Sequence, residues 1–420
     1  MKVLLLGSGG REHAIAWALA RSPKLTALWA APGSAGMDAL ARRGAVDWLD
    51  GAAVSGFCRS NGVELLVVGP EAPLAAGVAD AVRASGVPVF GPGRDGARLE
   101  SSKAFAKDFM RRHGLPTARA FIGDAAAAKT AVREFHGRCV VKADGLAAGK
   151  GVIVCTDLAR AEAAVETLGA TAAGRTLLVE ELLIGPEISM MALLDGRNYA
   201  LLPASQDHKR LLDGDQGPNT GGMGAACPIP LDEATLSRVR TEVFDPALAG
   251  LSRDGLDYRG VLYAGLMLTR EGPKVLEFNA RLGDPETQAV LPLLEDDFLE
   301  LCLECAQGRL NRGRLNARPG ACVSIVVAAE GYPEAPQRGA LITPGAVENM
   351  DNVLLFHAGT AFDGTRWSAT GGRVLGVVGL GADLAAARER AYAAVPRVAG
   401  PGLLWRRDIG AKVLGRSLTA

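Results

Sequence analysis

The stretch Cys139-Val-Val-Lys-Ala-Asp-Gly-Leu-Ala-Ala-Gly-Lys-Gly-Val-Ile-Val-Cys155 constrains the fold more than any other part of the chain. Two apolar runs flank a glycine-rich turn, so the segment is predicted to be a pair of strands joined by a flap. Gly145, Gly149 and Gly151 let backbone N–H groups approach phosphate oxygens with no Cβ in the way, while Lys142 and Lys150 supply positive charge. A Walker A loop does not fit: only three residues separate Gly145 from Gly149, Gly151 follows the lysine, and a strand comes next. A protein-kinase loop would need H-R-D and D-F-G partners, which the chain lacks. At this point a hairpin with a merely flexible turn stays open as the alternative.

With 420 residues, the chain is expected to form about two to four domains. Forty-six Lys and Arg balance forty-six Asp and Glu, so no net field recruits nucleic acid or an anionic membrane, and any anion site must be local. The seven cysteines are scattered and odd in number, which suits a reducing compartment better than a disulfide framework. Cys302 and Cys305 form the only close pair; their spacing suits the buried face of a helix, and no second C-x-x-C completes a zinc site. Met1-Lys-Val-Leu-Leu-Leu runs straight into Gly7, so the amino terminus is predicted to be a strand rather than a signal peptide. No apolar run approaches the ~20 residues that span a bilayer. The expectation is a soluble, cytoplasmic protein.

From Met1 to about residue 101, short apolar runs alternate with helical patterns, which predicts a parallel α/β domain. Its first strand enters a helix through Gly7-Ser-Gly-Gly-Arg-Glu-His13, so free N–H groups near Gly9, Gly10 and Arg11 suit a phosphate or carboxylate. Glu12 stands where a dinucleotide fingerprint needs its third glycine. Gly69-Pro-Glu-Ala-Pro73 places Glu71 at the carboxyl edge of the sheet, where such sheets bind ligands. A helix is expected from Ser101 through Met110, ending at Gly114-Leu-Pro116. A small mobile α/β unit then spans about 117–187, within a domain of 102–318. Ser205 to Gly224 is a polar, glycine-rich connection that holds Asp207, Asp215, Asn219, Thr220, Gly221 and Gly222. Connections of this length are seldom idle. Residues 319–420 read as β-rich.

Lys274 to Ala280 is the second strand of a predicted hairpin. Side chains alternate along a strand, so Glu277 and Asn279 share a face that Arg281 continues. Carboxylate and amide oxygens are hard ligands suited to Mg²⁺, and the arginine can meet an anion developing beside them. Each residue alone also suits an ordinary strand edge. Together with the flap they point to nucleotide chemistry.

These residues resemble a known superfamily. The strand lysine with its flap, Glu180-Glu-Leu-Leu183 followed by Glu187, and Glu277-x-Asn279-x-Arg281 are similar to the ATP-grasp ligases. More narrowly, Gly7-x-Gly-Gly-Arg-Glu-His13, Gly69-Pro-Glu-Ala-Pro73, Lys142 to Gly151, Gln206-Asp-His-Lys-Arg210, Gly217 to Gly224 and Gly283-Asp-Pro-Glu-Thr-Gln288 resemble the glycinamide ribonucleotide synthetase family. The resemblance implies that Lys103 and Lys142 contact ATP phosphates beneath the flap formed by Gly145, Gly149, Lys150 and Gly151. Glu180, Glu181 and Leu183 would lie at the adenine edge, with Glu187 on the ribose. Glu277 and Asn279 would bind Mg²⁺ or Mn²⁺, and Arg281 would face the phosphoryl group in transfer. Many ATP-grasp enzymes carry a further acidic ligand where this chain has Gly265-Leu-Met267, which leaves the metal count open.

The implied reaction joins glycine to 5-phosphoribosylamine through glycyl phosphate in purine biosynthesis. The alternative is another ATP-grasp carboxylate–amine ligase or a carboxylase. Asp207 and Asp215 are candidates to receive the glycine ammonium. Gly9, Gly10, Arg11, Glu71 and Asn219 to Gly222 are assigned to substrate. Arg406 and Arg407, beside Trp405, suit a phosphomonoester. The expected oligomeric state is a monomer, with a dimer as alternative.

Overall fold

A computed structural model describes residues 1–145 and 151–415. The amino-terminal part forms a parallel five-stranded sheet with order β3-β2-β1-β4-β5, built from β1 (Lys2–Gly7), β2 (Ala27–Pro32), β3 (Arg42–Arg43), β4 (Leu65–Val68) and β5 (Val89–Phe90). Every residue of Leu65–Val68 is buried, as expected of a central parallel strand covered on both faces. Helix α1 (Gly10–Ala20) follows β1 directly.

The helix expected from Ser101 is present and begins at Lys103. One helix covers Arg94–Ser101 and a second covers Lys103–Arg112. Ser102 between them is extended, and its hydroxyl accepts the Phe105 N–H at 3.1 Å. A hydroxyl at this position satisfies a helix-end donor that a continuous helix would not offer.

The next unit is a four-stranded antiparallel sheet with order β6-β9-β7-β8: β6 (Ala120–Gly123), β7 (Cys139–Ala143), β8 (Val152–Cys155) and β9 (Leu177–Glu181). Helices Ala125–Glu134 and Leu158–Gly169 cover one face. The two-residue period of β7 divides its side chains. Cys139, Val141 and Ala143 enter a core of the unit's own, while Val140 and Lys142 line the cavity on the opposite face.

A second four-stranded sheet carries β10 (Glu187–Asp195), β11 (Tyr199–Leu201) and the hairpin Arg259–Thr269 with Gly272–Asn279. Gly265 faces Glu277 but Leu266 faces Val275, so Leu276 is the extra residue of a β-bulge. The last large sheet joins Gln206–Asp207 and Gly224–Cys227 to Ala321–Ala329, Arg373–Gly381 and Val353–His357. This sheet stitches the polar connection to the carboxyl-terminal part, packed beneath helix Leu384–Val398. The expected α/β architecture, with a parallel amino-terminal sheet and β-rich carboxyl-terminal region, is present. No described helix is long and apolar enough to cross a membrane.

Candidate active site

A cavity of about 480 Å³ lies between the small sheet and the hairpin sheet. Its apolar walls come from Ala118, Val140, Val152, Val154, Met267 and Leu276, while Glu181, Leu182 and Leu183 border one edge. Lys142, Glu187, Lys209, Asp207 and Glu277 supply polar groups. An apolar slot with a few converging polar groups is the form that a flat, partly charged ligand requires.

Lys142 donates to the Leu276 carbonyl at 3.0 Å and pairs with Glu180 at 2.8 Å. The bulge makes the first contact available, because it removes Leu276 from the regular ladder. Glu180 is therefore turned into a buried ion network rather than lying free at the cavity edge. Lys103 begins its helix and donates to the Gly145 carbonyl at 2.8 Å, where Gly145 adopts φ 102°, a conformation that suits glycine. Gly151 closes the base of the flap, with its carbonyl accepting from Ala143 N–H at 2.9 Å. Gly149 and Lys150 lie outside the described residues.

Lys209 is a further cation of the site, one to which no local pattern assigns a role. It pairs with Glu187 and lies 3.9 Å from Glu277. Its signal was present in the quoted Gln206-to-Arg210 motif, but nothing local showed that the lysine turns inward. Burial alone would raise the pKa of Glu277, yet Lys209, Lys142, Lys103 and Arg281 together hold it below the ordinary value. Burial dominates at Asp207, which is pushed up to about 8 despite Lys209 nearby.

Arg281 leaves the hairpin and reaches the amino-terminal unit. It pairs with Glu100 at 2.7 Å and Glu71 at 3.4 Å, and Arg11 lies 3.9 Å from Glu71. Glu100 had no signal in the sequence, since it belongs to a helix distant in the chain. The free helix start expected near Gly9 and Gly10 already holds a carboxylate. Glu12 accepts the Gly9 N–H at 2.8 Å and pairs with Arg11 at 2.5 Å. A Cβ at Gly7 would collide with Glu12 Cγ, so glycine there makes room for this internal anion.

Of the two carboxyl-terminal arginines, Arg406 occupies a different place from the one expected. Arg406 is 1% exposed. It pairs with Asp408 at 2.6 Å and Asp215 at 3.1 Å, and donates to the Arg210 carbonyl at 3.0 Å. Asp215 also pairs with Lys412. Both Arg406 and Asp215 are thus committed to one another instead of standing ready for a substrate phosphate and ammonium. Arg407 is exposed, and its backbone N–H donates to Asp213 at 2.7 Å. Gly221 faces a group with no local sequence signal: Arg373 donates to the Gly221 carbonyl at 2.5 Å and pairs with Asp284 at 2.6 Å. Asn219 lines the main cavity, and Thr220 bonds back to the Lys209 carbonyl at 2.9 Å.

Three family models match the chain in order. The phosphoribosylglycinamide synthetase N domain matches residues 1–100, its ATP-grasp (A) domain 101–287 and its C domain 322–412. A relative from Streptomyces coelicolor named phosphoribosylamine–glycine ligase is 48% identical, over 99% of this chain and 100% of its own.

The chain belongs to the phosphoribosylglycinamide synthetase family.

A phosphoribosylamine–glycine ligase from Mesorhizobium japonicum is 45% identical over 99% of both chains. The crystal structure of the Thermotoga maritima phosphoribosylamine–glycine ligase superposes with a TM-score of 0.85 at 36% identity, covering 98% of this chain and 100% of that one. Lys142, Glu187 and Glu277 of the cavity fall within the segment matched by the ATP-grasp (A) domain. Arg406, Arg407 and Arg373 belong to the C-domain segment.

Proposed function

We propose that this synthetase-family chain ligates glycine to 5-phosphoribosylamine with ATP, giving glycinamide ribonucleotide, ADP and phosphate in purine biosynthesis. The observation that carries the reading is the cavity in which Lys142, Glu187 and Glu277 converge on an apolar slot. It occurs in a chain similar over nearly its whole length to enzymes named for that reaction.

Adenine would enter the slot beside Glu181 and Leu183, with the ribose hydroxyls on Glu187. Lys103 and Lys142 would hold the phosphates. Glu277 and Asn279 offer one carboxylate and one amide oxygen, and among the described residues no three His, Cys, Asp or Glu side chains gather as a metal cage. That donor set fits Mg²⁺ or Mn²⁺ completed by phosphates and water. The ion, when bound, would neutralise phosphate charge.

A glycine carboxylate oxygen attacks the γ-phosphorus, and the bond to ADP breaks to give glycyl phosphate. The amine of phosphoribosylamine then attacks the acyl carbon, phosphate leaves, and the amine proton is lost. Positioning and fixed charge supply the catalysis. Arg281 would stabilise the phosphoryl and acyl phosphate oxygens. Asp207 would meet the glycine ammonium, whose charge restores the ionised carboxylate that burial disfavours. Gly9, Gly10, Arg11, Glu71, Asn219 to Gly222 and Arg407 are assigned to phosphoribosylamine. A cytoplasmic monomer fits this reading.

ADP release measured with each substrate omitted tests the proposal. Formation that requires both glycine and phosphoribosylamine, with one ¹⁸O passing from labelled glycine carboxylate into phosphate, is expected. Turnover with bicarbonate but not glycine would replace it with the carboxylase reading.

A further inference from the structure

Lys107 stands outside the nucleotide cavity yet shares its charge network. It belongs to helix Lys103–Arg112 in the body of the molecule, whereas Glu180 and Lys142 sit on β9 and β7 of the small sheet. Its Nζ lies 3.0 Å from Glu180 Oε1, and Lys142 Nζ lies 2.8 Å from Glu180 Oε2. One carboxylate therefore joins two ammonium groups. Lys107, Glu180 and Lys142 are only 6%, 3% and 7% exposed.

The remaining contacts of Lys107 fix its position. Its Nζ donates to Thr117 Oγ1 at 2.7 Å and to the Ala118 carbonyl at 3.3 Å, so with Glu180 all three ammonium donors are engaged. Thr117 Oγ1 donates in turn to the Val275 carbonyl at 2.6 Å, one residue before the carbonyl that receives Lys142. Lys107 is thus held at the junction where the small sheet joins the body.

Charge counting shows what this geometry does. An isolated Lys142–Glu180 pair would be neutral and would offer an incoming phosphate only a dipole. With Lys107 on the same carboxylate, the three groups carry one net positive charge; Lys142 and Glu180 both line the cavity, and Lys107 stands behind them. Little water screens groups buried this deeply, so the balance is felt at the ligand.

We propose that Lys107 is a positioning residue for ATP: by satisfying Glu180 it leaves the charge of Lys142 available to the triphosphate. The proposal rests on the reading of the cavity as the ATP site. It assigns Lys107 no contact with nucleotide.

The test compares binding of ATP and adenosine by calorimetry to the full-length wild type, Lys107→Met and Lys107→Met/Glu180→Gln. Lys107→Met should weaken ATP at least tenfold while changing adenosine less than threefold, because only the phosphates sense the lost charge. The double variant removes the uncompensated carboxylate and should return the ATP-to-adenosine affinity ratio to within threefold of wild type. Equal losses for both ligands, or a double variant no better than the single, would overturn the proposal. If Lys107→Met fails to fold by circular dichroism, the double variant decides alone: a ratio near wild type supports the proposal and a tenfold lower ratio refutes it. Absence of ATP binding by the wild type would instead overturn the reading of the cavity itself.

Discussion

Arg281 meets Glu100 at 2.7 Å, so the residue that follows the hairpin strand also ties the ATP-grasp segment to the amino-terminal unit. The contact aims the guanidinium between the sheet carrying Glu277 and the start of the helix Glu71–Ala76. Replacement by methionine should lower kcat about 10²- to 10³-fold, in line with the ~3–4 kcal/mol carried by a fixed donor at a developing oxyanion. The Kd for ATP should change less than threefold. Single-turnover kinetics beside equilibrium binding would check this, and a pure binding defect would contradict the assigned role.

Glu277 is kept ionised by four surrounding cations, against the effect of burial. Glu277→Gln preserves shape while removing the anion, so activity should demand a higher Mg²⁺ or Mn²⁺ concentration and recover in part when the metal is in excess. Metal titration of the initial rate reads the effect. An unchanged half-saturating metal concentration would place the ion elsewhere.

Arg406 and Arg407 should separate cleanly. Arg406→Ala takes the cation from Asp408 and leaves Asp215 only Lys412; both carboxylates keep partial solvent access, so the cost should be about 1–3 kcal/mol of stability. Arg407→Ala should leave thermal unfolding unchanged and raise KM for phosphoribosylamine about tenfold, or ~1.4 kcal/mol. A normal KM would remove Arg407 from the substrate site and leave the Gly9-to-Arg11 region to carry the phosphate.

Acid should destabilise the fold through three buried histidines. Burial lowers His13 to about 3, and His208 and His357 each to about 4. These histidines stay neutral when folded but gain protons when unfolded. Their contribution is complete above the unfolded value near 6.5 and is lost as pH falls toward 4 and 3. At pH 5.5 each should cost about 1.4 kcal/mol. Asp207, raised to about 8, contributes with the opposite sign over this range, so urea midpoints of Asp207→Asn between pH 7.5 and 5.5 should fall accordingly, and adding His13→Asn should reduce the slope by about one third of the three-histidine effect. A flat profile would show that these rings hold protons in the folded state.

Much of the site was visible as local pattern. Alternation along 139–143 separated Val140 and Lys142 from Cys139 and Val141, and the structure places them on opposite faces. Glu277 and Asn279 were readable for the same reason, although the bulge at Leu276 was not. The helix near Ser101 was readable too, but its start at Lys103 was not, because a capping hydroxyl and a helical residue look alike until the hydrogen bond is seen. Arg406 illustrates the larger gap. Its position beside another arginine suggested an anion site, but Asp215, 191 residues away, had already claimed its charge.

The sequence by itself determined the strand–flap–strand unit, the period that aims Lys142, Glu277 and Asn279, and the family to which these motifs belong. Those properties depend on φ/ψ preference and on side-chain spacing within a few residues. Tertiary structure alone decided which charges are free. Glu12 fills the helix start that glycines had opened, Glu180 is divided between Lys107 and Lys142, and Lys209 turns toward Glu187. A charge acts through space, and its nearest partner is set by how distant segments pack, so composition and order along the chain cannot assign it.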